Sequence, residues 1–184
     1  MPKVFLDYLA LSYRSELYKL IDENRDHLRP WFPWVDTTRA ESDTRQFIER
    51  MQTAREKQTA VCTVILVEEK LAGLIDLHGI DETNRRASMG YWLGKPFEGR
   101  GIVTMAVKAF LEYGFLKRQL ERIEILVQPE NYRSLAIPER LGFTREGTLR
   151  HYQRYGNQGY FDLMVYSLLS DEYAQNHLRD RTLV

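Results

Sequence analysis

The chain has 184 residues, and its 26 Lys and Arg residues balance its 26 Asp and Glu residues. This length predicts one globular domain over residues 1–184, and 43% hydrophobic residues can form a core without disulfides or structural metals. Zero formal net charge provides no global field that would attract DNA through counterion release, so direct DNA binding is not expected.

The cysteine content and the apolar segments indicate the compartment. Cys62 is the single cysteine and lies in an apolar run, so we predict a buried thiol, with no disulfide and no metal site. The longest apolar stretches have about seven residues, whereas a membrane-spanning helix needs about 20. The first residues contain no signal-type apolar segment. We therefore expect a cytoplasmic protein without a membrane partner.

The first 57 residues predict two helices. Apolar residues at helical spacing predict one over about Ser12 to Asn24, and two prolines then interrupt it around the aromatic segment 31–34. The second helix would begin at a capping residue, Thr38 or Ser42, and run to about residue 57. A strand before the first helix is only weakly indicated.

The rest of the chain alternates β-branched runs, turns and helical patterns. Strands are predicted over residues 61–67, 71–77, 89–93, 123–127 and 161–169. Helices are predicted after Gly99 and Gly101 and over residues 134–141, the latter closed by Gly142. This order is typical of a mixed α/β (α+β) fold.

A glycine-containing turn between a strand and a helix is the most informative local feature. In Glu98-Gly99-Arg100-Gly101-Ile102-Val103-Thr104, glycines would let the backbone approach a phosphate at a helix N-terminus. A simple strand-to-helix turn is the alternative. The segment lacks the third glycine of a dinucleotide fingerprint and the Gly-Lys-Ser/Thr of a nucleotide-hydrolase loop.

A second segment, residues 128–143, makes the pattern specific. Together the two segments resemble the Gcn5-related N-acetyltransferase (GNAT) superfamily, in particular its RimJ/RimL-type branch of ribosomal-protein N-terminal acetyltransferases. The similarity is closest from about Thr83 to Tyr173. The matching residues are Gly90-Tyr91-Trp92-Leu93, Gly99-Arg100-Gly101-Ile102, Asn131 with Ser134, Leu141-Gly142-Phe143 with Glu146-Gly147, and Gly159-Tyr160 with Asp162 ahead of Tyr166-Ser167-Leu168.

The resemblance implies a single-domain GNAT fold, with a mixed central sheet, splayed parallel strands and helices on both faces. Acetyl-CoA would be the cosubstrate, and its pantetheine arm would enter between strands 89–93 and 123–128. The backbone of Trp92 and Leu93 would bind the pantetheine amides, with further contacts from Asn131 and Ser134. The pyrophosphate would be held by Glu98, Gly99, Arg100, Gly101, Ile102, Val103 and Thr104.

The sequence departs from the family pattern at two places. Relatives usually have Gln or Arg where Glu98 stands and a small residue where Val103 stands, so we expect the Glu98 side chain to point outward. Many relatives also carry a carboxylate on the strand that holds Ser88 and Met89. This chain has none there, which leaves the general base open.

Amine acetylation needs a polarised thioester carbonyl, a proton for the departing thiolate and a route for the amine proton. The N–H of Leu93 is the candidate for the first role, and Ser134 for the second, with helix capping as the alternative for Ser134. His151, Asp76 and His78 are candidate bases, and a water chain without a dedicated base is equally open.

Three further residues are candidates for acceptor binding. Trp31 and Trp34 would form an apolar wall, although packing into the core is the favoured alternative for these aromatic residues. Asp162 lies in an apolar strand, where a carboxylate needs a partner. It would either grip the acceptor amine or pair with an arginine such as Arg150.

These observations favour an acetyl-CoA-dependent N-acetyltransferase that transfers acetyl directly, in a ternary complex, to an α-amino group, such as the N-terminus of a ribosomal protein. A small amine is the second acceptor class: an amino acid, a polyamine or an antibiotic. Two hypotheses do not involve catalysis, namely a CoA-binding module without turnover and a ribosome-binding role without acetylation. The sequence leaves a homodimer open.

Overall fold

The computed structural model describes residues 3–155 and 159–182. The strands are β1 (Val4–Tyr8), β2 (Ala60–Val67), β3 (Lys70–Asp81), β4 (Arg86–Leu93), β5 (Arg122–Val127), β6 (Thr144–Arg154) and β7 (Tyr160–Leu169). The α-helices are α1 (Arg14–Glu23), α2 (Arg25–Leu28), α3 (Glu41–Glu56), α4 (Ile102–Glu112), α5 (Tyr132–Arg140) and α6 (Ser170–Thr182). A π-helical turn, Tyr113–Lys117, extends α4.

The strands form a mixed sheet in the order β1-β2-β3-β4-β5-β7-β6. The weakly indicated first strand is real, because Val4 pairs with Val67 and Tyr8 with Thr63 in an antiparallel ladder. Strands β4 and β5 are parallel, as the resemblance implied, and their register runs from Arg86 with Arg122 to Ser88 with Glu124. Strand β4 continues beyond this register to Leu93.

The contacts divide the chain into two compact units. The first comprises Met1–His78 and Gly90–Lys108. Its core forms where the apolar stripes of α1 and α3 meet β2, β3 and the end of β4. The buried side chains of this core, which we call the helix-side cluster, include Leu17, Leu20, Ile48, Cys62, Leu74 and Trp92.

The second unit comprises Gly79–Met89 and Ala109–Val184. Strand β7 pairs antiparallel with both β5 and β6, which places it inside the sheet, and its central residues are mostly buried. Ile123, Ile125 and Leu168 are almost completely buried.

Several elements differ from the sequence-based expectations. Strand β6 and helices α2 and α6 were not predicted: β6 is exposed along most of its length and lacks an apolar alternation. The predicted cap of α3 was wrong. Ala40 occupies the N-cap, and the Asp43 carboxylate accepts the backbone N–H of Ala40 at 2.9 Å, so neither Thr38 nor Ser42 is needed there.

Candidate functional site

The glycine turn before α4 is open. Gly99 and Gly101 have φ angles of +71° and +73°, which a residue with a Cβ rarely adopts. A Cβ built on either glycine meets no heavy atom within 4 Å, and Arg100 between them is exposed. The Gly101 carbonyl accepts from Met105 at 3.1 Å, so α4 begins at this turn and directs its first N–H groups toward it.

The Glu98 carboxylate does not point outward, contrary to the expectation. Its Oε1 lies 3.2 Å from Nε2 of His27 on α2, and the two side chains are only 25% and 20% exposed. The acid is therefore held against a helix, although its backbone directly precedes Gly99. Val103 and Thr104 are half-buried on α4, and Ile102 is fully buried.

The end of β4, which carries Trp92 and Leu93, passes very close to β3. A Cβ at Gly73 would stand 2.0 Å from the Trp92 carbonyl oxygen, so only glycine fits at this crossing. The next residue, Gly94, donates its N–H to Ala72 at 2.8 Å. These contacts fix the backbone at which β4 ends.

The aromatic segment packs on this same end of β4. The Trp34 ring lies 5.8 Å from that of Trp92 and 5.4 Å from that of Phe32, measured between centroids. Trp34 and Phe32 are partly buried against the helix-side cluster, and Trp31 is half-buried. Trp34 therefore has a packing role in the core, which leaves a further role as an acceptor wall open.

Asp76 and His78, two of the candidate bases, are brought together on β3. Leu74, Asp76 and His78 are two residues apart and therefore share one face of the strand. Asp76 Oδ1 lies 2.5 Å from His78 Nδ1. This hydrogen bond raises the pKa of His78, against the opposing effect of burial. His78 is 52% exposed and Asp76 is 26% exposed, so solvent and small molecules can reach the imidazole.

Gly90 on β4 lies in close contact with this pair. A Cβ at Gly90 would lie 3.2 Å from Asp76 Oδ2 and 3.5 Å from His78 Cε1. The carboxylate, the imidazole and the bare strand position therefore share one small surface. Gly90 belongs to the family-like motif, but no sequence pattern indicates that it faces Asp76.

Cys62 is buried, as predicted, and pairs across the β2–β3 ladder with Asp76. Burial raises the pKa of the Cys62 thiol well above its usual value, and the neighbouring Asp76 charge adds to this effect. A buried thiol that resists ionisation is a poor nucleophile. Cys62 is therefore a core residue and not a candidate nucleophile.

In the second unit, Asn131 and Ser134 occupy the start of α5. Asn131 is the N-cap, and its Oδ1 accepts the backbone N–H of Ser134 at 3.2 Å. The capping role suggested for Ser134 is therefore filled by Asn131. The Ser134 side chain is half-buried in the first turn of the helix.

His151 and Asp162 also lie together in the second unit. Asp162 Oδ1 accepts the backbone N–H of His151 at 2.7 Å, at a bulge where His151 has a φ of +52°. Of the two alternatives for Asp162, the ion pair with Arg150 is not observed in the described residues, and the carboxylate stabilises a strand irregularity. The His151 ring stacks on Tyr160, with 5.9 Å between centroids.

Two residues that the sequence did not indicate contact the segment before the glycine turn. They are Asn24, which accepts from the Lys95 N–H at 2.8 Å, and His27. Asn24 lies between α1 and α2 and His27 lies on α2, far away in sequence from the turn, and no local motif marks them.

Within the described ranges 3–155 and 159–182, no group of three or more His, Cys, Asp or Glu side chains is arranged to hold a metal ion. In the same residues, no helix combines the length and apolar character that crossing a bilayer requires.

Comparison with known proteins identifies the family. Residues 4–144 match the acetyltransferase (GNAT) domain family, and the chain belongs to this family. It is an N-acetyltransferase that uses acetyl-CoA as the acetyl donor.

Three similar proteins show how far the likeness extends. YdaF of Bacillus subtilis (strain 168), provisionally named a ribosomal N-acetyltransferase, is 35% identical over 86% of this chain and 87% of its own. The ribosomal-protein-serine acetyltransferase of Escherichia coli (strain K12) is 28% identical over 90% of this chain and 92% of its own. The crystal structure of the microcin C7 self-immunity acetyltransferase MccE, in complex with acetyl-CoA and AMP, is 34% identical, covers 91% of this chain and 92% of that one, and has a TM-score of 0.86.

Proposed function

We propose that the acceptor is the α-amino group of a protein N-terminus, such as that of a ribosomal protein. Two relatives with ribosomal names, each aligned over more than four fifths of this chain, support this acceptor class. The structural observation that carries the proposal is the Asp76–His78 pair, which offers an amine a proton acceptor that is partly exposed to solvent.

The acetyl-CoA pyrophosphate binds at the glycine turn. The open positions at Gly99 and Gly101 fit a phosphate group, because backbone N–H groups can approach it without a Cβ in the way. Arg100 and the first turn of α4, Ile102 to Thr104, complete this site. The pantetheine amides bind the backbone of Trp92 and Leu93, with Asn131 and Ser134 as further contacts.

His78 accepts the amine proton. With Nδ1 hydrogen-bonded to Asp76, the imidazole presents Nε2 to the acceptor, and Asp76 stabilises the imidazolium that forms. The neutral amine nitrogen attacks the thioester carbonyl, a C–N bond forms and the C–S bond breaks. The Leu93 N–H polarises the carbonyl oxygen, and the Ser134 hydroxyl, directly or through water, gives the thiolate its proton.

The remaining candidates have subsidiary roles. Trp31 and Trp34 flank the acceptor from the aromatic segment, and Asp162 and His151 shape the β6–β7 part of the acceptor surface. Residues 1–184 act as one catalytic domain. The protein works in the cytoplasm as a monomer or a homodimer.

A small-molecule amine is the second candidate acceptor. Its support is the 34% identity to the MccE acetyltransferase, whose structure contains AMP beside acetyl-CoA. Turnover of N-terminal peptides, with small amines such as amino acids, spermidine and amine-containing antibiotics much slower, is the expected result of an acceptor screen. Turnover of small amines alone would overturn the peptide proposal.

The cofactor site is tested by calorimetric titration with acetyl-CoA. Gly101→Glu should abolish binding through a strained φ and repulsion of the pyrophosphate. Gly79→Glu is the matched control, because Gly79 also has a positive φ, +59°, and no atom within 4 Å of an added Cβ. Equal binding by the parent and Gly101→Glu would place the pyrophosphate elsewhere.

A further inference from the structure

The segment that leads from β4 into the glycine turn, residues 94–98, packs against helices α1 and α2. A Cβ at Gly94 would stand 2.9 Å from Leu20 Cδ1 and 3.2 Å from Asn24 Nδ2, so this segment and the end of α1 are in close contact. The Phe97 N–H closes a tight turn on the Gly94 carbonyl at 3.0 Å, and the Phe97 ring packs on the helix-side cluster.

Asn24 fixes the start of this segment. It is a buried polar residue, 7% exposed, and both ends of its amide are used. Nδ2 donates to the Leu20 carbonyl at 2.8 Å, while Oδ1 accepts the Lys95 N–H at 2.8 Å. Because each end has a partner of the right polarity, the amide has one favourable orientation, and Lys95 is held to α1.

His27 fixes the end of the segment. The contact between its Nε2 and Glu98 Oε1 is half-buried, and Glu98 is the residue immediately before Gly99. A carboxylate released from this contact would lie close to the bound pyrophosphate, and like charges repel more strongly where water is partly excluded. The contact with His27 therefore helps to hold this negative charge against α2.

We propose that Asn24 and His27 are positioning residues for acetyl-CoA: Asn24 anchors Lys95, and His27 holds the Glu98 carboxylate away from the phosphate site at Gly99–Thr104. This inference rests on the proposed position of the pyrophosphate. It also gives a reason why this chain accepts an acid beside the glycine turn: a histidine on α2 takes up its carboxylate.

A double-mutant cycle on acetyl-CoA affinity tests the role of His27. His27→Ala should weaken the calorimetric Kd by about tenfold, because the released Glu98 carboxylate repels the bound pyrophosphate. In the double variant His27→Ala/Glu98→Gln most of this loss should be recovered, because the repelling charge is gone. At saturating acetyl-CoA, kcat should stay within about twofold of the parent, since the chemical step is untouched.

A second ion pair provides the matched control. Arg45 and Glu49, 2.8 Å apart on the exposed face of α3, form the same kind of contact away from the turn. Arg45→Ala and Arg45→Ala/Glu49→Gln should leave the Kd for acetyl-CoA unchanged. If the recovery by Glu98→Gln is missing, or if the Arg45 cycle gives the same values, His27 has no positioning role.

Asn24 is tested by comparing two substitutions. Asn24→Asp keeps an oxygen acceptor for the Lys95 N–H, whereas Asn24→Leu keeps only the size of the side chain. Asn24→Leu should therefore raise the KM for acetyl-CoA more than Asn24→Asp, while the KM for the acceptor stays unchanged. Equal effects of both variants, or an equal rise in both KM values, would contradict the anchoring role.

Failure of the two proposals gives different results. Normal acetyl-CoA binding by Gly101→Glu removes the proposed pyrophosphate site itself. Loss of binding by Gly101→Glu, together with parental affinity in His27→Ala, keeps that site and overturns only the positioning role.

Discussion

At the scale of the residue, the Asp76–His78 pair makes a testable claim about pH. The hydrogen bond to Asp76 raises the pKa of His78, so the imidazole stays protonated to a higher pH than an ordinary histidine. A base must be neutral to accept a proton, so activity should rise at a higher pH than it would with an ordinary histidine. Asp76→Asn should move this rise to lower pH, and His78→Gln should lower kcat by about 100-fold.

Two measurements check this prediction. NMR titration of the His78 ring in the parent and in Asp76→Asn reads the pKa directly, and kcat at saturating substrates against pH reads its kinetic effect. Acceptors with different amine pKa values separate the enzyme group from the titration of the amine itself. If the rise of kcat with pH changes with the pKa of the acceptor amine and is the same in the parent and in Asp76→Asn, His78 is excluded as the base.

Gly90 gives a prediction about space. Gly90→Ala would place a methyl group 3.2 Å from Asp76 Oδ2, tighter than ordinary van der Waals contact, and would displace the Asp76–His78 pair. We expect kcat/KM for the acceptor to fall by about tenfold or more, as for other small displacements of reacting groups, with the acetyl-CoA Kd unchanged. Ser88→Ala, on the same strand, is the control; equal losses in both variants would argue against a specific role.

At the scale of the element, Glu146 links three strands of the second unit. It accepts from Arg122 Nη1 of β5 at 2.6 Å and from the Ser167 hydroxyl of β7 at 2.8 Å. These donors lower the pKa of Glu146 to about 2, with the Arg122 hydrogen bond as the largest cause. Because Glu146 is 42% exposed, solvent screening reduces the benefit, and Glu146→Gln should lower the free energy of unfolding by about 1 kcal/mol at neutral pH.

The pH dependence of this stabilisation has a defined sign. A depressed carboxyl pKa stabilises the fold above the unfolded value of 4.5, and the effect is lost as pH falls from there through about 2. Urea unfolding of the parent and Glu146→Gln should therefore differ at pH 7 and converge toward pH 2. The control is Glu49→Gln, which removes an exposed ion pair with Arg45 on α3. Its free energy of unfolding should differ less from that of the parent at pH 7.

The turn between β2 and β3 provides a stabilising prediction. Glu68 and Glu69 have φ angles of +50° and +67°, the left-handed conformation of a two-residue hairpin turn, which favours Asn and Gly. Each glutamate there is strained by about 1 kcal/mol. Glu68→Asn/Glu69→Gly should raise the thermal midpoint, measured by circular dichroism; an unchanged or lower midpoint would mean that the turn is not strained.

Elements that could be predicted from the sequence are those with a strong local pattern. Strands β2, β5 and β7 carry apolar, β-branched runs whose side chains are largely buried, and the glycine turn has a recognisable composition. Strand β6 could not be found, since its exposed residues do not alternate. The contact of His27 with Glu98 and the close approach of Gly90 to Asp76 depend on chain segments that meet only in the fold, so no local signal predicts them.

At the scale of the whole molecule, equal numbers of positive and negative residues mean that the net charge attracts neither acetyl-CoA nor an acceptor. Affinity must then come from local groups, such as the backbone N–H groups at the start of α4 and the Asp76–His78 pair. The structure is consistent with this local origin of the affinity, because both features lie within one unit, Met1–His78 and Gly90–Lys108.

Binding at one local site should nevertheless stabilise the whole fold, because a ligand that binds only the folded state shifts the unfolding equilibrium by mass action. At 100 times its Kd, acetyl-CoA should add about 2.7 kcal/mol and raise the thermal midpoint by about 5 to 10 °C for a chain of this size. Gly101→Glu should remove the shift, and Gly79→Glu should keep it. The same shift in Gly101→Glu, measured by calorimetric melting, would show that acetyl-CoA stabilises the protein from a site other than the glycine turn.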